Sequence, residues 1–279
     1  MAALPAPLTD AADRAEFRRA RHREGVELYR AHIVRHAFEP HSHDAFGLGV
    51  VEQGVERFRY RGGEHLAGSG ALVTMNPALL HTGRAETTAG WRYRMLYVDE
   101  ATLAQVGGEP GWSFGDAVTV DPARARRVAA LLRALWGLAR DGAEPLAFDS
   151  LLAQVIDELR PLAVGNRAAP RSAGAPRFDR VVQALRAGLD RRWTLAELAA
   201  IEDLSPWHFL RAFRDAHDAT PQQMLMALRL LDAKRRLAAG EAPAAVAAAV
   251  GLADQAHLTR AFVRRYGVTP GRYRQQATG

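Results

Sequence analysis

The chain has 279 residues, 48% apolar and 24% charged, enough for one large domain or two ordinary ones with a buried core. It has no cysteine, which excludes disulfides, thiolate catalysis, Cys-ligated zinc and iron–sulfur clusters. The net charge of +6 is unevenly placed: residues 1–165 carry 19 Arg against 21 Asp plus Glu (net −2), and residues 166–279 carry 18 basic against 10 acidic residues (net +8). The C-terminal part is therefore the one expected to meet an anionic polymer. Lys234 is the one lysine beside 36 arginines, so single arginines carry little weight. No run approaches 18 apolar residues, and prolines and the charged stretch Asp13 to Arg23 follow Ala2, Ala3 and Leu4 where a signal peptide would have its apolar core. The expected location is the cytoplasm.

Residues 1–24 read as an N-terminal arm. From 25 to 99 short apolar runs recur: Val26 to Val34, Phe46 to Val51, Val55 to Tyr60, Ala71 to Met75 and Tyr93 to Val98. Turn signals separate them at Gln53-Gly54, Gly62-Gly63, Gly68-Ser69-Gly70 and Asn76-Pro77. Close-spaced short strands predict an antiparallel sandwich or barrel. Two helices follow. One starts at Asp121-Pro122, with Val128, Leu131, Leu132, Leu135 and Leu138 on one face; the other runs from Leu146 to Leu162. Their apolar stripes suit packing on the β domain or on a second copy of the chain. This domain is expected over 25–164.

Residues 165–176, rich in Pro, Gly, Ala and Arg, read as a linker. Everything from 177 to 279 reads as helical. Thr194 with Glu197 forms a capping-box pattern. Ser205-Pro206, Thr220-Pro221, Pro243, Asp254 and Thr269-Pro270 each open a further helix, and Gly240 and Gly251 stop two of them.

Shifted by 49 residues, this half overlays on itself. His208 falls on His257, Arg211 on Arg260, Ala212 on Ala261, Phe213 on Phe262, and Thr220-Pro221 on Thr269-Pro270. Two supersecondary units are implied, each a short helix, a tight turn and a second helix, at 194–217 and 243–266. That is the helix-turn-helix plan, in which the second helix enters the DNA major groove. In the first unit Phe209, Ala212 and Phe213 can pack inward, leaving Trp207, Leu210, Arg211 and Arg214 outward. In the second, Leu258, Ala261 and Phe262 pack inward, leaving Gln255, Ala256, His257, Arg260 and Arg264. Arg can grip guanine, Gln can read adenine, and Trp or Ala can touch a thymine methyl. Arg229, Lys234, Arg235, Arg236, Arg265, Arg272 and Arg274 suit phosphates. The bland alternative is arginines on solvated faces of a protein-binding module. The helix from Pro221 to Ala239, about 19 residues at ~1.5 Å rise, gives a spacer of roughly 28 Å, of the order of the ~34 Å between successive major grooves.

Residues 177–276 resemble the AraC/XylS family of bacterial transcription regulators. The stretch VAAAVGLADQAHLTRAFVRRYGVTPGRYR (Val246 to Arg274) is similar to that family's second helix-turn-helix, and LAELAAIEDLSPWHFLRAFRDAHDATP to its first. The resemblance implies two units joined by a linker helix on one face of DNA. It places base contacts on Trp207, Leu210 and Arg211, and on Gln255, Ala256, His257 and Arg260. The first unit carries Leu210 where the family commonly has a polar residue, and Leu252 stands where an aromatic is usual. The resemblance extends to residues 25–99 as a cupin-type effector domain, on His41-Ser-His43, the Gly54 turn, and Gly70 to Pro77 followed by His81. The fold class implied is α+β, an N-terminal cupin-like β-barrel with flanking helices before an all-α double helix-turn-helix.

A small barrel can hold one small ligand. His41 and His43 alternate to one side of a strand, and His81 joins them through the resemblance. Metal-binding cupins carry a Glu four or five residues after the second His; here those positions are Gly47 and Leu48, and Glu52 is nine on. No metal or cofactor is therefore expected. The histidines, with Met75 and Tyr97, are candidates for binding a small effector; Trp91, Tyr93 and Phe46 are further possible lining residues. No phosphate cradle and no G-x-S-x-G elbow is present. The expected function is a DNA-binding regulator modulated by a small molecule, not an enzyme. Expected partners are double-stranded DNA, the effector, a second copy of the chain and RNA polymerase. The rivals are a metal cupin enzyme with a nucleic-acid-binding appendage, and an architectural or RNA-binding protein, the latter disfavoured by the lack of an aromatic stacking platform.

Overall fold

A computed structural model describes residues 12–141, 145–164 and 178–278. The linker expected at 165–176 and the first 11 residues of the expected arm lie outside the described residues. Among the described residues no helix is long and apolar enough to cross a membrane.

The N-terminal half is built from nine strands: β1 (Arg14–Arg19), β2 (Val26–Ile33), β3 (Ala37–His41), β4 (Phe46–Tyr60), β5 (Gly63–Gly68), β6 (Ala71–Met75), β7 (His81–Ala85), β8 (Trp91–Val98) and β9 (Val118–Val120). β1 falls inside the segment read as an arm, where it pairs antiparallel with β2 through Arg14↔His32 to Arg19↔Glu27.

The expected barrel is not closed. One sheet runs β1-β2-β8-β4-β6-β9; the other is β3-β7-β4-β5. β4 belongs to both, its first half pairing with β6 and β8 and its second with β5 and β7. The pair Gln53-Gly54 was expected to be a turn, yet the strand runs through it. The register against β8 shifts between Val51 and Gln53, and Gly54 takes φ +74°. A Cβ on Gly54 would meet the Gly90 carbonyl at 2.0 Å. The glycine thus serves a bulge that bends one strand from sheet to sheet. Between the sheets pack Tyr29, Phe38, Phe58, Tyr60, Trp91 and Tyr93, all buried.

Helix α1 (Glu100–Gly107) follows β8, and α2 (Pro122–Asp141) and α3 (Pro145–Leu159) cover the outer face of the first sheet. Val128, Leu132 and Leu135 of α2 are buried with Leu152, Val155 and Ile156 of α3 against Leu28, Leu48, Val50, Leu72 and Leu96. These apolar stripes are used mainly inside the chain. Leu131 and Leu138 remain half-buried, and Leu146 is exposed.

The C-terminal half holds α4 (Asp179–Ala187), α5 (Leu195–Ile201), α6 (Pro206–His217), α7 (Pro221–Ala238), α8 (Pro243–Ala249), α9 (Gln255–Tyr266) and α10 (Pro270–Thr278). Local chemistry sets the starts. Thr194 and Thr220 each make a complete capping box, with Glu197 and Gln223; Ser205 accepts from His208 N–H and Asp254 from His257 N–H. Such a cap contributes about 1 kcal/mol.

The two helical units do not share one core. The first buries Phe209 and Phe213 with Phe178, Val181, Leu185 and Leu198. The second buries Leu258, Phe262, Tyr266 and Tyr273 in a cluster continuous with the interior of the β domain.

Candidate functional site

Two surfaces bring sequence-derived candidates together. The first is the outer face of α6 and α9. Ser205 and Asp254 start these helices at equivalent places in the repeat, so their residues fall in the same phase. Phe209 and Phe213 on α6, and Leu258 and Phe262 on α9, are fully buried. Their opposite faces leave Trp207 (63% exposed), Arg211 and Arg214, and Gln255, Ala256, Arg260 and Arg264, in solvent. Leu210 and His257 are half-buried at the edges of these faces. The Arg211 guanidinium lies 5.8 Å from the centre of the Trp207 ring, within cation–π range. An exposed indole beside an arginine on this face can cover a thymine methyl or stack on a partner.

Several basic residues assigned to phosphates are elsewhere. Arg229 is buried and donates to the carbonyls of Leu189 (2.6 Å) and Arg191 (3.1 Å). Lys234 is buried and paired with Glu27. Arg265 is buried, donating to the Pro40 carbonyl (3.1 Å) and lying 2.7 Å from Glu39. Arg235 pairs with Asp44, and Arg236 with Asp232 and Glu241. Residue type alone places a long cation outside; the partners that bring Lys234 and Arg265 inside lie 207 and 225 residues away.

Those partners define the second surface, where the helical half meets the β domain. Glu27 accepts from Lys234 and from the Tyr273 hydroxyl at 2.7 Å. The Lys234 ammonium sits 4.7 Å from the Phe17 ring centre, and between 5.3 and 5.4 Å from those of Tyr97, Tyr266 and Tyr273. Burial lowers the Lys234 pKa, and Glu27 opposes that shift. Gln276 accepts from the Phe17 backbone N–H at 3.1 Å. Beside Lys234 opens a cleft of about 290 Å³, lined by Glu27, His43, Asp44, Tyr97, Lys234 and Tyr273 among others. Its walls come from both halves of the chain.

His43 and Tyr97 also line a smaller interior cavity of about 30 Å³ with His41, Met75, His81, Tyr93 and Glu56. Arg265 and Tyr266 of α9 close one side. Of the effector candidates, His41, His43, Met75, His81 and Tyr97 all meet here. His43 lies just past the end of β3, while Phe46 points into the other core, below α2 and α3. Trp91 stacks behind Tyr93, ring centres 5.4 Å apart. One ring nitrogen from each histidine lies within 4.8 Å of the other two. Burial holds all three imidazoles neutral: His81 is pushed down to about 4, and His41 and His43 well below their usual value. Burial also pushes the Glu56 carboxyl up to about 8. Glu56 escaped sequence reasoning because it follows the bulge in β4, where it pairs with Ala85 of β7.

Residues 24–156 match the family model of the AraC-like ligand binding domain, and residues 198–276 that of a helix-turn-helix domain. The RCS-specific HTH-type transcriptional activator RclR of Escherichia coli (strain K12) is 36% identical over 102 residues, covering 36% of this chain and 36% of that protein. This chain thus spans about a third of RclR. The uncharacterized HTH-type transcriptional regulator YbfI of Bacillus subtilis (strain 168) is 24% identical over 238 residues, covering 84% of this chain and 86% of that protein. The crystal structure of ToxT from Vibrio cholerae O395 bound to (E)-4-(8-methylnaphthalen-1-yl)but-3-enoic acid is similar with a TM-score of 0.54 at 8% identity, covering 95% of this chain and 99% of that one. At that identity the likeness is one of fold.

Proposed function

The chain belongs to the AraC family of transcription regulators, and we propose that it binds specific double-stranded DNA through α6 and α9, under the control of a small molecule held between its two halves. The carrying observation is that Arg211 and Arg260, one repeat apart, are both exposed on helices whose opposite faces are fully buried. Trp207, Leu210, Arg211 and Arg214 then meet one half-site, and Gln255, Ala256, His257, Arg260 and Arg264 the next. The role is regulatory rather than enzymatic and belongs in the cytoplasm, where DNA and RNA polymerase are met.

The effector seat is the cleft beside Lys234. Its volume of about 290 Å³ is near the ~300 Å³ lower bound of small-molecule sites, whereas the histidine cavity of about 30 Å³ takes no more than a ligand's tip. His43 and Tyr97 are common to both spaces. A ligand with an anionic or hydrogen-bonding end suits Lys234 and the imidazoles, and the Vibrio relative that shares the fold holds an organic acid. Control requires that the ligand favour one arrangement of the two halves over another. Glu39 of β3 holds Arg264 of the reading helix at 3.5 Å, so a shift of the β domain alters α9 directly. A second copy of the chain docks along the outer groove of α2 and α3, which Leu131 lines.

The test is selection from randomised duplex DNA by the full chain, followed by a salt titration of the selected duplex and a scrambled one. Two base clusters about one helical turn (~34 Å) apart are expected, with the preference lost in Arg211→Ala and Arg260→Ala. Equal, steeply salt-dependent binding to both duplexes would reduce the contact to phosphate attraction and refute the proposal.

A further inference from the structure

The histidine cavity carries more than an effector's tip. His41 Nδ1–H donates to the Glu39 carbonyl at 2.8 Å, and His81 Nδ1–H donates to the Leu79 carbonyl at 3.3 Å. Each bond fixes the tautomer and leaves Nε2 as a bare lone pair. That is how proteins orient imidazoles toward a metal ion. Both ring nitrogens of His43 are buried without a hydrogen-bond partner. An unpaired buried polar group costs about 1–3 kcal/mol, so the wholly unpaired ring of His43 is an expensive way to fill a core. The cavity of about 30 Å³ is too small for an organic ligand and ample for an ion.

The cover comes from the other half of the chain. Tyr266, in the last turn of α9, has its ring centre 5.7 Å from that of His41 and 6.1 Å from that of His43. Its hydroxyl is also buried without a hydrogen-bond partner. Along the chain no carboxylate follows His43 at four or five residues, but the fold puts Glu56 on the cavity wall and brings a phenol from 223 positions further on.

We propose that His41, His43 and His81 form a site for a divalent transition-metal ion, covered by Tyr266, so that the ion ties the β domain to the second reading helix. Three neutral imidazoles with an oxygen donor suit zinc, iron, cobalt or nickel. Nitrogen–metal bonds of about 2.0–2.1 Å draw together ring nitrogens that now spread up to 4.8 Å. Metal binding therefore tightens the wall that α9 shares. It does not depend on the effector reading: metal uptake is measured without DNA or any organic ligand, and either can fail while the other holds.

The experiment uses the full chain, freed of metal by dialysis against a chelator and titrated with Co²⁺. Uptake of one equivalent is expected, with the visible d–d absorption of a low-coordinate cobalt site, and Zn²⁺ should displace it. His43→Gln and His81→Gln are each expected to weaken binding by more than about 100-fold, the upper range for losing only an outer-shell partner. Circular dichroism checks that the variants fold, and two are used so that one misfolded protein leaves the test standing. Tyr266→Phe should keep the stoichiometry and alter the cobalt spectrum. No stoichiometric uptake by the wild type, or uptake unchanged in both glutamine variants, would overturn the site. A spectrum unchanged in Tyr266→Phe would overturn the cover.

Discussion

At the end of α6, the rings of Phe213 and His217 lie 4.4 Å apart, and His217 reaches Phe178 of its own unit. Forty-nine residues on, Phe262 and Tyr266 make the same pair at 4.7 Å, but Tyr266 reaches His41 and His43 of the β domain. The three residues that close α6 are Asp215, Ala216 and His217; their counterparts in α9 are Arg264, Arg265 and Tyr266. All three of the latter touch the β domain: Glu39 faces Arg264 and Arg265, and the histidines face Tyr266. The first unit meets it more lightly, through a half-exposed ion pair, Arg59 with Asp218 at 2.5 Å, and the half-buried Leu80, which packs against the first unit's core. A duplicated unit has thus diverged at one end of one helix. Its reading face is kept in both copies, and the more extensive docking face belongs to the second. A change in the β domain is therefore expected to reach α9 before α6, whose core draws only Leu80 from that domain.

The largest effect that sharpens this contrast is expected at Lys234. Replacing it with Ala leaves the buried Glu27 without its cation and with the Tyr273 hydroxyl as a remaining donor, a loss of about 3–5 kcal/mol for a buried pair broken on one side. Urea denaturation should show the β domain and the second unit losing stability together, with the first unit retained; a single transition moved as a whole would erase the contrast. Next come the base-reading arginines. Arg211→Ala and Arg260→Ala should each cost about 1–3 kcal/mol of base discrimination, read by fluorescence anisotropy on selected and scrambled duplexes. Each should relax the sequence preference at a different base cluster; loss at one common cluster would contradict the assignment of one unit to each. The smallest effect is expected at Asp218→Asn. Its ion pair is half-exposed and contributes no more than about 1 kcal/mol. Neither the melting temperature nor the DNA affinity should move appreciably, and a large drop in either would mean that the first unit is docked as firmly as the second.

The helical half was legible because its signals are local. Thr194, Ser205, Thr220 and Asp254 cap the helix that each begins, and the repeat fixed which faces turn inward. The β half was legible as strands and not as a closed or open sheet, since pairing partners are set over long range. Gly54 marks both a turn and a bulge in sequence; only the approach of the Gly90 carbonyl decides between them. His41, His43 and His81 could be gathered from their spacing and the family resemblance. Tyr266, Glu56 and Lys234 could not, because each is brought to the cavity or its neighbouring cleft by contacts that no local pattern encodes. The burial of Arg229 and Arg265 escaped for the same reason: carbonyl groups of distant residues satisfy their guanidiniums.

Unequal docking of the two units is tested most directly by amide hydrogen exchange on the wild type and Lys234→Ala. Exchange in α9 and α10 should accelerate in the variant, while α5 and α6 keep wild-type protection. Equal acceleration of both units, or of neither, would contradict the account.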